Sequence, residues 1–223
     1  MRKIALSQII VFSVFYITAI SAAVFSTWLT FGALPMGDFR GIVLFLGGIV
    51  FFFVYLILIY RIFMVFFPLE AGNVPPGSKQ EFIYHVYVLF FLLGFYSVLK
   101  SGFIPIPLLR AFYMALGAKL GKNTYSAGMI YDPLFIKIGH DCLLGHGSVL
   151  TPHAIENERL SHFPIEIGDH VTLGVGSIVL QGVKIRNNAI VSAGAVVLKN
   201  TVIGENEIWG GIPARLIKKN DPM

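Results

Sequence analysis

The sequence predicts a chain of two unlike halves: an N-terminal α-helical membrane domain followed by a parallel β-helix built from hexapeptide repeats. Three observations carry this. Residues 4–37 and 41–60 hold no charged side chain, and about 20 apolar residues suffice to cross a bilayer. Further on, an apolar residue returns at every sixth position: Ile167, Leu173, Val179, Ile185, Val191, Val197, Ile203 and Trp209. The same phase runs upstream through Ile138, Leu144 and Leu150, interrupted once by a gap of one hexad plus eleven residues. A period of six fits neither a helix nor a flat sheet; it fits short strands joined by corners, each coil covering the one below.

In order, the membrane half covers residues 1–78, with spans at about 4–33 and 41–67 joined by the turn Pro35-Met36-Gly37-Asp38. So short a link predicts an antiparallel pair. Arg61 is placed to snorkel to the interface. Pro68 and the run 71–78, rich in Gly and Pro, break the helix into a loop. Residues 79–116 are expected to be interfacial or re-entrant helices: an uncharged stretch at 82–99, apart from His85, and then an amphipathic piece at 107–116 with Leu108, Leu109, Phe112 and Leu116 on one face. The β-helix occupies 117–219, starting from Leu120, eighteen residues before Ile138. Ser126 and Asp132 are in register but polar, which makes the first coil irregular. A loop excursion is expected at 154–164, and a short basic segment at 213–219 closes the end before a tail at 220–223.

Charge is unevenly shared. Residues 1–116 hold seven Lys/Arg against three Asp/Glu, and residues 117–223 hold ten against nine. The basic excess therefore sits in the apolar half, where it suits anionic headgroups and orientation signals. No basic stripe with interleaved aromatics points to nucleic acid. The single cysteine, Cys142, falls on a predicted strand and excludes an internal disulfide.

Three strings carry a resemblance: Ile167-Gly168-Asp169-His170-Val171, Val191-Ser192-Ala193-Gly194-Ala195-Val196-Val197 and Gly210-Gly211-Ile212-Pro213-Ala214-Arg215. They resemble the hexapeptide-repeat acyltransferases, in particular their sugar O-acetyltransferase branch, over residues 116–219. The resemblance implies a left-handed β-helix and a homotrimer with sites between subunits. It also implies acyl transfer from acetyl-CoA or another acyl-CoA, with no metal. Given the membrane half, it implies membrane lipids as neighbours and a lipid-borne or saccharide hydroxyl as acceptor. With Arg2 and Lys3 on the cytoplasmic side, two spans return the solenoid to the cytoplasm, where coenzyme A is found. The expected location is a bacterial inner membrane.

Hydroxyl acylation needs a base, and histidine suits that task near neutral pH. Of His85, His140, His146, His153, His162 and His170, His140 and His170 fall at corners, and His85 belongs to the apolar half. His153 stands where the regular coil gives way to the excursion. By position it matches the catalytic base of the resembled family, with His146 as alternative. Glu156 or Glu166 would orient the imidazole, and His162 would line the acceptor pocket. The resemblance places Val175, Gly176 and Ala193 beside the pantetheine arm, Leu198 and Lys199 near the adenine, and Arg215 and Lys218 near the phosphates. Gly174 and Gly176 are the candidate oxyanion donors. Two other readings remain open from sequence: a non-catalytic trimeric membrane scaffold, and a γ-carbonic-anhydrase-like enzyme using His140, His146 and His153 on a metal.

Overall fold

The computed structural model describes residues 3–220, so Arg2 and the end of the tail, 221–223, lie outside the described residues. The chain forms two compact units. One runs up to Leu69 and also takes Gly77–Ser97; the other takes Glu70–Pro76 and the chain from Val98 onward.

In the first unit, α1 (Leu6–Phe31) and α2 (Arg40–Phe66) pack as an antiparallel pair, with Phe15 against Phe63 at one end and Thr27 against Gly48 at the other. Small residues set the close approach: Gly47 lies against the Phe31 ring, and Ala19 and Ala23 are buried. Outward-facing Leu6, Val14, Ile17, Trp28, Phe45, Val50 and Val65 are exposed. A third helix follows as α3 (Lys79–Leu89), a π-helical turn over Phe90–Phe95, and α4 (Tyr96–Lys100). By length and composition alone, Leu6–Phe31, Gly37–Phe66 and Lys79–Lys100 are each able to cross a membrane. Phe90 is fully buried, its ring 5.3–6.2 Å from those of Phe12, Phe15, Tyr60 and Phe63. His85, also buried, meets Gln8 Oε1 through Nδ1 at 3.1 Å; the amide oxygen only accepts, so Nδ1 carries the proton.

The second unit begins with β1 (Gly72–Val74) and, after α5 (Ile106–Ala115), winds as a three-sided coil. The first turn has β2 (Lys119–Leu120), β3 (Tyr125–Ser126) and β4 (Met129–Ile130). The second has β5 (Ile136–Ile138), β6 (Leu143–Leu144) and β7 (Val149–Thr151). A hairpin intervenes, β8 (His153–Glu156) and β9 (Arg159–His162). The third turn is β10 (Ile165–Ile167), β11 (Thr172–Leu173) and β12 (Ile178–Leu180); the fourth is β13 (Lys184–Ile185), β14 (Ile190–Val191) and β15 (Val196–Val197). β16 (Val202–Ile203) and β17 (Glu207–Gly210) finish it, and β18 (Arg215–Lys219) turns back antiparallel on β17.

Every predicted hexad position from Ile138 to Ile203 is buried and stacks in parallel register. Leu120, Ile138, Ile167, Ile185 and Ile203 form one column, Leu144, Leu173 and Val191 a second, and Leu150, Val179 and Val197 a third. Trp209 in the last turn is only half-buried. The outward residues differ sharply by face. The first face shows Lys119, Lys137, Glu166, Lys184 and Val202, with Lys137 and Lys184 paired to Glu166 at 3.3 and 3.8 Å. The second shows Tyr125, Leu143, Thr172, Ile190 and Ile208, and the third Met129, Val149, Ile178 and Val196.

Three local readings change. In the first turn Ile130, not Asp132, takes the inward position, pairing with Leu150; β4 arrives two residues early and the corner after it is two residues longer. The excursion is a hairpin whose turn residues, Asn157 and Glu158, both have positive φ, the geometry that matches strand twist. And the loop at 71–78 contains a strand, because β1 pairs antiparallel with β9, joining Gly72 to His162 and Val74 to Leu160.

The corners explain His170: with Asn123, Asp141, Asn188 and Asn206 it occupies the left-handed corner between the first and second faces, so its residue type there is conformational. Gly174 at the next corner is tighter. A Cβ there would lie 2.3 Å from the backbone nitrogen of Ala193. Gly174→Ala should therefore lower unfolding stability by roughly 2–4 kcal/mol, read as a fall in thermal midpoint; an unchanged midpoint would mean the corner gives way.

Candidate active site

The excursion places a histidine at the base of each hairpin strand. His153 pairs with His162 across β8 and β9, their ring centroids 6.3 Å apart. The two then part in environment. His153 is partly open, its side chain 29% exposed, and its ring stands nearly perpendicular to that of Tyr131 with centroids 6.3 Å apart. His162 is fully buried and stacks on Phe135 at 5.0 Å and 23°.

The carboxylate beside His153 is Asp132, which accepts a short hydrogen bond from Nδ1 at Oδ2. This corrects the expectation of Glu156 or Glu166. Glu156 lies on the exposed hairpin with Lys199 at 2.5 and 2.6 Å, and Glu166 is on the charged first face between Lys137 and Lys184. Asp132, left in the corner because β4 ends early, is free to reach the His153 ring. It sits at φ 43°, ψ 65°, directly before Pro133, a conformation that an aspartate tolerates better than a branched residue. Its signal was present as a polar residue at an apolar phase of the repeat.

The partner fixes the chemistry of the ring. With Nδ1–H donated to Asp132, Nε2 is the nitrogen that takes a proton. Burial pulls the His153 pKa down, but the hydrogen bond and charge of Asp132 outweigh it, and the net shift is upward. In His162, burial dominates over the opposing pull of Asp132, and the pKa falls to about 4. With no exposed surface, His162 lies beneath His153 and does not line an open acceptor pocket, contrary to expectation.

The remaining predicted residues fall on two edges of the coil. His146, Val175, Gly176 and Ala193 stack at the edge between the second and third faces, where Gly176 N–H donates to His146 O at 3.0 Å and Gly194 N–H to Val175 O at 2.8 Å. His146 and Val175 are exposed there. His153, Leu198 and Lys199 belong to the edge between the third and first faces. A single chain thus does not gather the donor residues around His153. Lys199 is held by Glu156 rather than standing free, and Arg215 and Lys218 are exposed on β18. The expected oxyanion donors change too. Gly174 N–H is spent on Val191 O at 2.7 Å and Gly176 N–H on His146 O. His140, His146 and His153 stand on three different edges. Among the described residues no group of three His, Cys, Asp or Glu within this chain is arranged to hold a metal.

Comparison with known proteins agrees with this architecture. A family profile described as "Hexapeptide repeat of succinyl-transferase" matches residues 164–199. The chain is 30% identical over 162 residues to a Bacillus subtilis (strain 168) protein called "Putative acetyltransferase YvoF", covering 66% of this chain and 91% of that one. It is 30% identical over 118 residues to the galactoside O-acetyltransferase of Escherichia coli (strain K12), covering 48% and 57%. Gamma carbonic anhydrase 1 of Arabidopsis thaliana mitochondria is 35% identical over 82 residues, 37% of this chain but 26% of its own length.

The His162 shift has a stability consequence. A folded pKa near 4 against about 6.5 unfolded means the unfolded chain binds more protons in that window. Stability from this group is whole above about pH 6.5 and falls by about 3 kcal/mol as pH drops towards 4. His162→Phe should remove that slope from the difference between the two unfolding curves measured at pH 7 and 4.5; a slope that persists would exonerate the buried imidazole.

Proposed function

We propose, because the chain belongs to the hexapeptide-repeat acetyltransferases, that it moves an acetyl or short acyl group from an acyl-CoA to a hydroxyl of a lipid-linked or surface-saccharide acceptor. The observation that carries this reading is the His153–Asp132 pair at the foot of the hairpin, with Nε2 on the side not held by the carboxylate. His153 Nε2 takes the proton of the acceptor hydroxyl, and the oxygen attacks the thioester carbonyl carbon. The tetrahedral intermediate collapses with loss of the coenzyme A thiolate, which receives the proton back from the imidazolium. Asp132 holds the ring in the tautomer that can do this and stabilises its charged form. His146 is exposed on another edge, and the His–carboxylate pair among the described residues belongs to His153.

The donor contacts follow from the two-edge arrangement. Val175, Gly176 and Ala193 line one edge, and His153, Leu198 and Lys199 another, so a site that uses both takes them from neighbouring copies. The apolar outward faces, Leu143, Ile190 and Ile208 on one side and Val149, Ile178 and Val196 on the next, support a homotrimer, while the charged first face suits solvent. The apolar helices with outward-facing Leu, Val and Phe support anchoring in a membrane, with the β-helix on the cytoplasmic side of a bacterial inner membrane.

Removing the base should cost on the order of 10²–10⁴ in kcat in His153→Ala, measured as thiol release from acetyl-CoA with a membrane lipid extract as acceptor; full activity would reassign the base. The pH profile provides a second check. Because the folded His153 pKa lies above its ordinary value, activity falls as pH drops through a point above about 6.5. In Asp132→Asn the carboxylate charge that raises the pKa is gone while burial still lowers it, so that acid limb should move to lower pH while kcat falls. An acid limb that stays in place would separate Asp132 from the base.

A further inference from the structure

The third apolar helix, Lys79–Lys100, has 22 residues, about 33 Å of helix against a hydrocarbon core of about 30 Å. Its two flanks nevertheless belong to one compact unit. Before it, Glu70–Pro76 is part of the β-helix unit, with β1 hydrogen-bonded to β9; after it, the chain runs into α5 and the coils of the same unit. The leading tether is short. Gly77 N–H donates to Glu81 Oε2 at 2.5 Å and Ser78 Oγ accepts from Glu81 N–H at 3.1 Å, which fixes Gly77 to the first turn of α3. Only Pro75 and Pro76 separate Val74 from Gly77, roughly 10 Å of extended chain. The trailing tether is also short: residues 101–105, roughly 20 Å of extended chain, lead from Lys100 to α5. A helix that crossed the bilayer would deliver β1 and the start of the β-helix to opposite surfaces, yet β1 is a strand of the sheet that carries the hairpin.

Packing within the first unit points the same way. The third helix meets Gln8, Phe12 and Phe15 of α1 and Leu56, Tyr60 and Phe63 of α2. The antiparallel pairing brings these to the same end of the α1–α2 hairpin. The described buried residues of α2 are Leu56, Tyr60, Phe63 and Met64, all in its last part. A helix laid along the hairpin for its full length would cover the first half of α2 as well. Instead the Tyr60 ring meets Tyr87, Phe90 and Phe95 at 6.1, 5.8 and 5.4 Å. Those residues span eight positions, roughly 12 Å of helix, so this one ring near the end of α2 takes up the middle of the third helix.

We infer that Lys79–Lys100 lies in one interface of the bilayer across the end of the α1–α2 hairpin, and that β1 straps the hairpin bearing His153 to that surface, so the acceptor hydroxyl is carried by a membrane lipid. This rests on α1 and α2 being membrane spans. Gly72 pairs with His162 and His162 with His153. Neighbouring strands are about 4.8 Å apart, so, whatever angle the two units adopt, the His153 backbone stays within roughly 25 Å of Gly77. A lipid-linked saccharide of a few sugar units reaches across that distance from the headgroup layer. A dissolved sugar would need no strap.

The test is cysteine accessibility in the full chain, in a Cys142→Ala background and in sealed inner-membrane vesicles of known orientation, with a membrane-impermeant maleimide. Lys79→Cys, Phe103→Cys and Glu205→Cys should label from the same side, and Asp38→Cys from the other. Labelling of Lys79→Cys and Phe103→Cys from opposite sides would show a third crossing and overturn the inference, leaving the anchored-enzyme reading intact. Labelling of Asp38→Cys from the same side as Glu205→Cys would overturn the spanning reading and the inference with it. A fluorophore on Ile155→Cys, at the exposed hairpin, should be quenched in phosphatidylethanolamine–phosphatidylglycerol vesicles by a headgroup-attached quencher. No quenching would remove the acceptor from the bilayer surface even if the topology holds.

Discussion

Everything in the β-helix depends on backbone hydrogen bonds that run from coil to coil rather than along one hairpin. The coil strands before β17 are two or three residues long, too short to stand alone, and are held by neighbouring coils. A strand in the third turn is fixed only because the second and fourth are in place. This makes the corner residues the critical ones, since a corner that expands by an atom pushes apart two coils at once. Glycine at 145 and 174, whose missing Cβ would fall 2.7–2.3 Å from the backbone of the next coil, follows from that demand.

The same constraint explains where chemistry is possible. A regular coil buries one or two side chains per strand, most of them apolar, and turns the rest outward. The departures from regularity are therefore the places where reactive residues meet. One departure is β4 ending two residues early, which frees Asp132 into a left-handed turn before Pro133. The other is the hairpin, which lifts His153 out of the ladder. Asp132 and His153 come together because both escape the repeat on the same edge.

Much of this was legible in the residues themselves. The six-residue phase located every inward column from Ile138 to Ile203, and the gap of eleven located the excursion and its histidine, because burial on one side of a short strand leaves a direct imprint on composition. What escaped were contacts between residues distant in the chain. Asp132 and His153 are 21 positions apart, and the antiparallel pairing of β1 with β9 joins segments nearly ninety residues apart. Neither is written in a local period. Glu156 and Glu166 looked suitable because they are near His153 in sequence, but an alternating strand and a hairpin turn send them to solvent and to Lys199, Lys137 and Lys184. Asp132 did leave a trace, a charge where the phase called for an aliphatic side chain. The lone Asn157-Glu158 turn was the trace of the hairpin.

A stack of parallel coils has no natural end, because the last coil offers the same bare backbone edge that the previous one used. Here β18 reverses direction on β17, while Val196 N–H reaches Gly211 O at 3.0 Å and Ala214 N–H reaches Val196 O at 2.8 Å, covering two of the three final strands. At the opposite end α5 sits over the first coil, with Arg110 donating to Gly121 O at 2.9 Å and the Tyr113 hydroxyl accepting from Ile130 N–H at 3.1 Å. The reversed strand and the helix are thus stoppers against end-to-end growth. A chain shortened before Arg215 would expose the edge of β17 as a template for fibre formation, so β18 bears on solubility as well as on the fold.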